Sequence, residues 1–398
     1  MKLGIIREGK NPPDNRVALS PHQCKVVRRQ FPQWELVVQP SPNRCYTNEE
    51  YLSAGIPMQE DLSDCDILIG IKEVPIDQLI AGKTYFFFSH TKKKQAYNKK
   101  LLQTIMQKKI RLIDYECLTY ADKQRILGFG FFAGIVGAHN GLLTYGKKTG
   151  AFSLPPVHRF TDFREVIRQY FEVKLPPIKI VSTGNGRVST GVVETMNMFD
   201  IKRVSPTEFL KKTYDYPVYC ELTAEQLYKH QDTHVYHRDD FRKHPANYYC
   251  DFEAFTQQAD VFLNGVYWEK NIPAFFQPSD LAKEDFNIKV IADITCDAHG
   301  SIPINYGSTT IPDPTYGVHR HSLEKVAPFA EATVDVMAVD NLPNELPRDA
   351  SDFFGVQLTK MVLPELLKPQ SDILDRATIT QDGVLTSYFD YLSDYVQD

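Results

Sequence analysis

The chain has 398 residues, 42% hydrophobic and 24% charged, with a formal net charge of −5. That is the balance of a globular protein large enough for two domains, and it gives no whole-chain reason to expect nucleic acid or an anionic membrane as partner. No apolar run reaches the length needed to span a bilayer, and the seven scattered cysteines lack CxxC spacing, which fits a reducing cytoplasm and argues against a disulfide framework.

The opening MKLGIIREGK has no apolar signal core and reads as a first strand. Leu3–Ile6, Trp34–Val38, Asp66–Ile71, Tyr85–Ser89 and Arg111–Tyr115 read as strands. Between them Pro21–Phe31, Thr47–Ala54 and Gln95–Lys108 read as helices, the first capped by Ser20. DILIGI and YFFFS are nearly continuous apolar runs, as expected when both faces of a sheet are covered. The alternation predicts an α/β domain with a mainly parallel sheet. Arg7, Lys72, Glu73, His90 and Glu116 each follow a strand. In a parallel sheet these are all carboxyl ends, the edge where open α/β sheets bind ligands. This half has no glycine fingerprint, so it is expected to hold substrate rather than nucleotide.

Gly128–Leu143 is rich in glycine and apolar residues and reads as a loop and helix crossing between domains. Thr161–Val173 is amphipathic. The stretch IKIVSTGNGRVSTG, residues 178–191, then runs from β-favouring residues through Gly184-Asn185-Gly186 into a helix with Val188, Val192, Met196 and Phe199 on one face. A strand, a glycine turn and a helix in that order form the dinucleotide-binding pattern. Gly184 allows the sharp turn, Gly186 removes a Cβ from the path of a pyrophosphate, and the helix N-terminus attracts phosphate. The third position is Ser189 rather than glycine.

The second strand, expected at Ile201–Val204, should distinguish the cofactors. An acidic residue at its end would take the 2′-hydroxyl of NAD; Lys202, Arg203 and Ser205 stand there instead, which leans to NADP. Tyr214–Gln258 interrupts the alternation and is crowded with tyrosine and histidine, including Cys220, His230, His234, His237, His244 and Cys250. The spacings do not match zinc folds, and the segment reads as a surface excursion rather than a metal site. Strands resume at Asp260–Asn264 and Ile288–Ala292, the second leading to Asp293 and Asp297, two carboxylates expected to face a crevice. Ser301–Gly317 has turn chemistry, while Ser322–Val336 and Ser351–Leu367 read as helical, and the C-terminal helices are expected to return and complete the first domain.

Lys72 follows an apolar strand, where partial desolvation lowers a lysine pKa, and His90 titrates near neutrality. Such a pair can move protons to and from a carbonyl or amine. Arg16 and Arg125 are candidates for bidentate carboxylate clamps, whereas Lys93 and Lys94 read as a solvated helix start.

Several segments together resemble one family. FSHTKKKQAYNKKLLQTIMQKKIRLIDYE, the glycine turn, FLNGVYWEKNIP, DITCDAHGSI and DNLPNELP are similar to the lysine–ketoglutarate reductase domain, the lysine-forming saccharopine dehydrogenase half of a bifunctional lysine-degrading enzyme. REGKNPPDNRVALSP, IKEVP and the Asp-x-x-x-Asp loop extend a more distant likeness to stand-alone saccharopine dehydrogenases and alanine dehydrogenases. The resemblance implies two Rossmann-like α/β domains around a deep cleft, residues 1–134 with 335–398 forming the substrate domain and 135–334 the dinucleotide domain. It implies reversible oxidation of saccharopine to lysine and 2-oxoglutarate with NADP or NAD. By motif position, Lys72 and His90 match the acid–base pair; Arg16, Glu116 and Arg125 match substrate-side groups. Gly184, Gly186, Arg187, Val188, Ser189, Arg203, Asp297 and Asn341 fall on the cofactor side, with no metal. The chain departs from its relatives at Gln124, where a second arginine is frequent, and at Ser205, which replaces an acidic residue. Other amino-acid dehydrogenases of alanine type, and a non-catalytic NAD(P)-binding protein, stay open as alternatives, as does assembly into a homo-oligomer.

Overall fold

The computed structural model describes residues 1–397, which divide into two compact units. The first comprises Met1–Phe129 and the chain from Pro347 onward; the second is Gly130–Leu346. The return expected at 335 falls inside a strand of the second sheet, Thr333–Met337, so the crossing is displaced to Pro347.

In the first unit, β1 (Lys2–Ile5), β2 (Glu35–Val38), β3 (Ile67–Ile69), β4 (Thr84–Phe87) and β5 (Arg111–Asp114) pair in parallel in the order β2-β1-β3-β4-β5. The strand Thr378–Gln381 joins β5 antiparallel and carries Val384–Leu385 at the edge. The C-terminal segment therefore does complete this unit, though partly as strand where helix was expected. Side-chain alternation sends residues to two covered faces. Leu3, Ile5, Ile67, Ile69 and Phe86 meet α1 (Pro21–Gln30) and Phe354, Leu358 and Val362. Leu68, Tyr85 and Phe87 meet Leu101, Leu102 and Ile105 of a later helix, Lys99–Gln107. Ser20 caps α1 in a capping box with Gln23, and Thr47 does the same with Glu50 for α2 (Asn48–Ser53), satisfying the orphan N–H groups of each first turn. We call Lys99–Gln107 α3. In this strand order the chain reverses direction of winding between β1 and β3, the topological switch point where open α/β sheets place ligands.

In the second unit, the Gly-rich stretch forms one 20-residue helix, α4 (Gly130–Thr149), buried along most of its length. α5 (Phe163–Tyr170) follows, capped by Asp162, and then β6 (Lys179–Thr183) and α6 (Arg187–Met198). α4 lies directly on α6. A Cβ on Gly134 would come 2.0 Å from the Val188 carbonyl oxygen, and one on Gly191 would come 2.0 Å from that of Phe131, so only glycines permit this backbone contact.

The remaining strands are β7 (Lys202–Arg203), β8 (Val218–Leu222), β9 (Tyr228–His230), β10 (Tyr248–Cys250), β11 (Val261–Asn264), β12 (Val290–Asp293), β13 (Thr315–His319), β14 (Lys325–Val326) and β15 (Thr333–Met337). The main sheet has the order β14-β13-β15-β12-β11-β6-β8-β7, parallel except that β13 runs antiparallel to both its neighbours, β15 and β14. Three expectations are corrected here. Tyr214–Gln258 is not a surface excursion: β8 lies in the sheet directly beside β6, and Tyr228, Phe241, Tyr248 and Phe252 fill the core on one face. Its histidines His234, His237 and His244 are exposed, while Cys220 is sealed inside β8. Residues 322–336 form strands rather than a helix, because the β-branched run Thr333-Val334-Asp335-Val336 is buried on both faces of the sheet. Finally, the strand after α6 is a two-residue edge strand, paired to β8 and not to β6.

Candidate functional site

The charged residues of the first unit meet at the carboxyl edge of its sheet. Glu8, in the loop after β1, accepts the backbone N–H groups of Ile71 at 2.7 Å and Lys72 at 2.8 Å, tying the β3 loop to the β1 loop. Asp14 takes the guanidinium of Arg16 through Nε at 2.9 Å and Nη2 at 2.5 Å, and both side chains are buried. The Arg16 guanidinium also lies 4.2 Å above the Phe129 ring. Asp114, the last residue of β5, accepts the N–H of Ser89 at 2.9 Å, the Ser89 hydroxyl, and the N–H of Glu116 at 2.7 Å. It thereby fixes the loops after β4 and β5 together. His90, next to Ser89, has a left-handed backbone (φ 53°), and its Nδ1 sits 2.6 Å from Glu73 Oε1. Lys10 Nζ is 3.0 Å from the other Glu73 oxygen. Glu116 gathers Arg125 and, at 3.5 Å, Lys92.

This packing separates the titration of neighbouring groups. Burial lowers the Lys72 pKa, and the nearby Arg16 and Lys10 lower it further against Asp14 and Glu73. Burial, with Asp14 beside it, raises the Glu8 carboxyl to about 8 despite its two N–H donors. Burial also works to raise Glu73, but the hydrogen bond and charge of His90 outweigh it and hold that carboxyl at about 2. Glu116 is likewise opposed by burial yet held low by Arg125 and Lys92. One edge thus holds a lysine pushed toward neutrality, a carboxyl that binds its proton near pH 8, and a histidine hydrogen-bonded to an ionised carboxylate. Groups with divergent pKa values in contact are the arrangement that acid–base chemistry requires.

In the second unit, the corresponding edge carries the glycine turn. Gly184 has φ +105°, and a Cβ there would meet the Gly265 carbonyl oxygen at 2.9 Å. At Gly186 a Cβ would meet nothing within 4 Å. Gly186 is the N-cap of α6 and, as a glycine, has no side chain to lie over the first turn of that helix. A glycine N-cap with open space where its Cβ would stand fits the pyrophosphate of a dinucleotide. Val188 packs under the turn against Gly265, while Ser189 is buried and donates its hydroxyl to Glu221 Oε1 at 3.3 Å. Arg203 pairs with the other oxygen of Glu221 at 2.7 Å. Asp297 lies exposed in the loop after β12, and Asn341 opens a short helix, Leu342–Glu345, after β15. Both follow parallel strands and so share the carboxyl edge with the turn.

Asp293 differs from expectation. It is fully buried, accepting Asn264 at 2.8 Å, Thr295 at 2.7 Å and Asn305 at 2.7 Å, while Asn264 also reaches Thr183 and Ser301. This network locks the ends of β6, β11 and β12 to the Asp297 loop; Asp293 itself faces no opening.

Every first-unit candidate, Lys72, His90, Arg16, Glu116 and Arg125, lies at one sheet edge, and every second-unit candidate lies at the other. Arg7, in contrast, bonds the Pro40 carbonyl and pairs with Glu60, and Lys94 pairs with Asp394 at 2.6 Å. Sequence reasoning missed Glu8, Asp14, Glu73 as partner of His90, Asp114, and Glu221. Glu221 had a signal: VYCEL opens on the strand-favouring pair Val218-Tyr219. Among the described residues, no group of three or more His, Cys, Asp or Glu could hold a metal ion, and no helix is long and apolar enough to cross a membrane.

Residues 4–136 match the family model for the alanine dehydrogenase/PNT N-terminal domain. The mitochondrial alpha-aminoadipic semialdehyde synthase of Rattus norvegicus is 29% identical over 98% of this chain and 47% of its own length, so the chain spans about half of that relative. The NAD(+), L-lysine-forming saccharopine dehydrogenase of Candida glabrata is 27% identical over 89% of both chains. Among solved structures, an L-alanine dehydrogenase superposes over the full length of both chains with a TM-score of 0.68 at 16% identity, a likeness of fold. The chain is therefore a homologue of the aminoadipic semialdehyde synthases and saccharopine dehydrogenases, built on the alanine dehydrogenase fold.

Proposed function

We propose that this protein is an oxidoreductase interconverting saccharopine with L-lysine and 2-oxoglutarate, using NADP or NAD. The observation that carries this reading is the set of interlocked groups at the first sheet edge: Lys72 with a lowered pKa, His90 on Glu73, and the arginines Arg16 and Arg125 nearby. Proton carriers surrounded by cations suit a secondary amine bearing several carboxylates. The names of the relatives point the same way.

In the lysine-consuming half of the cycle, Arg16 and Arg125 bind the carboxylates of 2-oxoglutarate. The ε-amine of lysine attacks the oxo carbon, and Lys72 or His90 protonates the carbinolamine oxygen so that water leaves. Glu73 holds the orientation of the His90 ring through the hydrogen bond between them. Glu8 and Asp114 act one step back, fixing the loops that bear Lys72 and His90. The dinucleotide, when bound, supplies or accepts the hydride at the imine carbon. Gly184, Gly186 and the first turn of α6 hold its phosphates, and Asp297 and Asn341 line the same edge. In the reverse direction the pair deprotonates the amine and activates water. The thiols of all seven cysteines are unpaired, in keeping with a cytoplasmic enzyme.

Initial rates of NADPH and NADH oxidation, with lysine and 2-oxoglutarate supplied together and singly, test the reading. Oxidation that requires both supports it. Oxidation driven by ammonia and pyruvate points to an alanine-type enzyme, and binding of NADPH without turnover of any amino-acid pair points to a non-catalytic protein.

A further inference from the structure

We propose that Glu221 and Arg203 form a specificity pair that sets the choice between NAD and NADP. The proposal rests on the dinucleotide reading above and adds to it a residue outside the glycine fingerprint and outside the strand that follows it in sequence. β8 comes third in the chain from β6 yet sits directly beside it, Glu221 lying opposite Ser182 in the register. The place normally filled by the second strand of a dinucleotide fold is thus taken by β8, and β7 is displaced to the edge. Glu221 is one residue from the carboxyl end of β8. Its Oε1 accepts the hydroxyl of Ser189 in the first turn of α6, and its Oε2 is 2.7 Å from the Arg203 guanidinium. A carboxylate against the first turn of the phosphate-binding helix hydrogen-bonds a ribose 2′-hydroxyl and repels a 2′-phosphate; a guanidinium in the same place does the reverse.

The two side chains differ in freedom. Glu221 is 14% exposed and anchored by Ser189, whereas Arg203 is 65% exposed and has no such anchor in its pairing with Glu221. Arg203 can exchange the carboxylate for a phosphate; Glu221 stays. With NAD bound, Glu221 accepts the 2′-hydroxyl and Arg203 neutralises it. With NADP bound, Arg203 takes the 2′-phosphate against the residual charge of Glu221. Removal of either partner therefore shifts preference, and in opposite directions.

Dissociation constants for NADPH and NADH, read from nicotinamide fluorescence on binding to the full chain, test this without turnover. Glu221→Gln preserves the Ser189 contact and is expected to raise the ratio of NADPH to NADH affinity about tenfold; Arg203→Gln is expected to lower it about tenfold. The ratio cancels any loss common to both ligands, so a merely structural role would leave it unmoved. A change under threefold in either variant, or in the wrong direction, overturns the proposal while the dinucleotide reading stands. Failure of the unaltered protein to bind either dinucleotide overturns both.

Discussion

The two sheet edges are built from opposite materials. In the first unit, Asp14, Glu73 and Glu116 pair with Arg16, Lys10, His90, Lys92 and Arg125, while Glu8 and Asp114 accept backbone N–H groups of the neighbouring loops. In the second, Thr183, Asn264, Thr295, Ser301 and Asn305 form a neutral network around the buried carboxylate of Asp293, and the glycine turn leads into the first turn of α6. The difference teaches what each edge can do. Groups that exchange protons need pKa values set by burial and neighbouring charge, so they come as ions in contact. A surface that only holds a charged ligand works best with fixed dipoles and vacant space, which cost no proton and need no reorganisation.

Substitutions can break this contrast. Lys72→Met removes the proposed proton carrier and is expected to lower the turnover rate about 10²–10⁴-fold. Stopped-flow or steady-state rates with saccharopine check it, and a rate near that of the unaltered protein would remove Lys72 from the chemistry. On the second edge the equivalent loss should be structural. Gly191→Ala drives a Cβ against the Phe131 carbonyl and is expected to destabilise the fold by roughly 2–4 kcal/mol in urea unfolding, because neither helix backbone can yield cheaply.

The ionic edge should also show itself in the pH dependence of stability. The Glu73 carboxyl is held at about 2, below its unfolded value of 4.5. Its contribution, up to about 3 kcal/mol, is therefore fully present above pH 4.5 and is lost as pH falls toward 2. Glu73→Gln should narrow the stability gap from the unaltered protein over that window. Glu8 bends the curve the other way. Its carboxyl is raised to about 8, so it destabilises the fold progressively as pH climbs from 4.5 to 8. Glu8→Gln should flatten that decline, measured by denaturant unfolding at pH 5, 6.5 and 8.

The smallest effect on stability sharpens the comparison most. Gly186→Ala places a Cβ in open space at a backbone conformation alanine tolerates (φ −96°, ψ −165°), so unfolding free energy should fall only by about 1 kcal/mol, the cost of the poorer N-cap residue. NADPH affinity should nonetheless fall about tenfold or more, since the methyl group occupies the approach to the helix N-terminus. Unchanged affinity in that variant would mean that the space in front of α6 serves no ligand.

Much of the architecture could be read from the residues because local signals agreed with the tertiary outcome. DILIGI and YFFFS are apolar on both faces and became interior strands; Ser20 capped α1 as expected, Gln23 completing a capping box; the glycines of α4 bought the close helix crossing. Lys72 and His90 stood out because each follows such a strand. What failed did so for physical reasons. β8 was hidden by a tyrosine- and histidine-rich context whose tyrosines turned inward, and 322–336 was misread because a short apolar run fits a helix as well as a buried strand.

The sequence alone determined the local elements, the glycine turn and the residue types gathered after each strand, since these depend on neighbours within a few positions. Strand order was decided only in three dimensions. It alone put β8 rather than β7 beside β6, set Glu221 against Ser189, buried Asp293 while exposing Asp297, and closed Glu8 onto the Lys72 backbone. Hydrogen bonds across a sheet join residues dozens of positions apart, and no periodicity along the chain encodes which strands will meet.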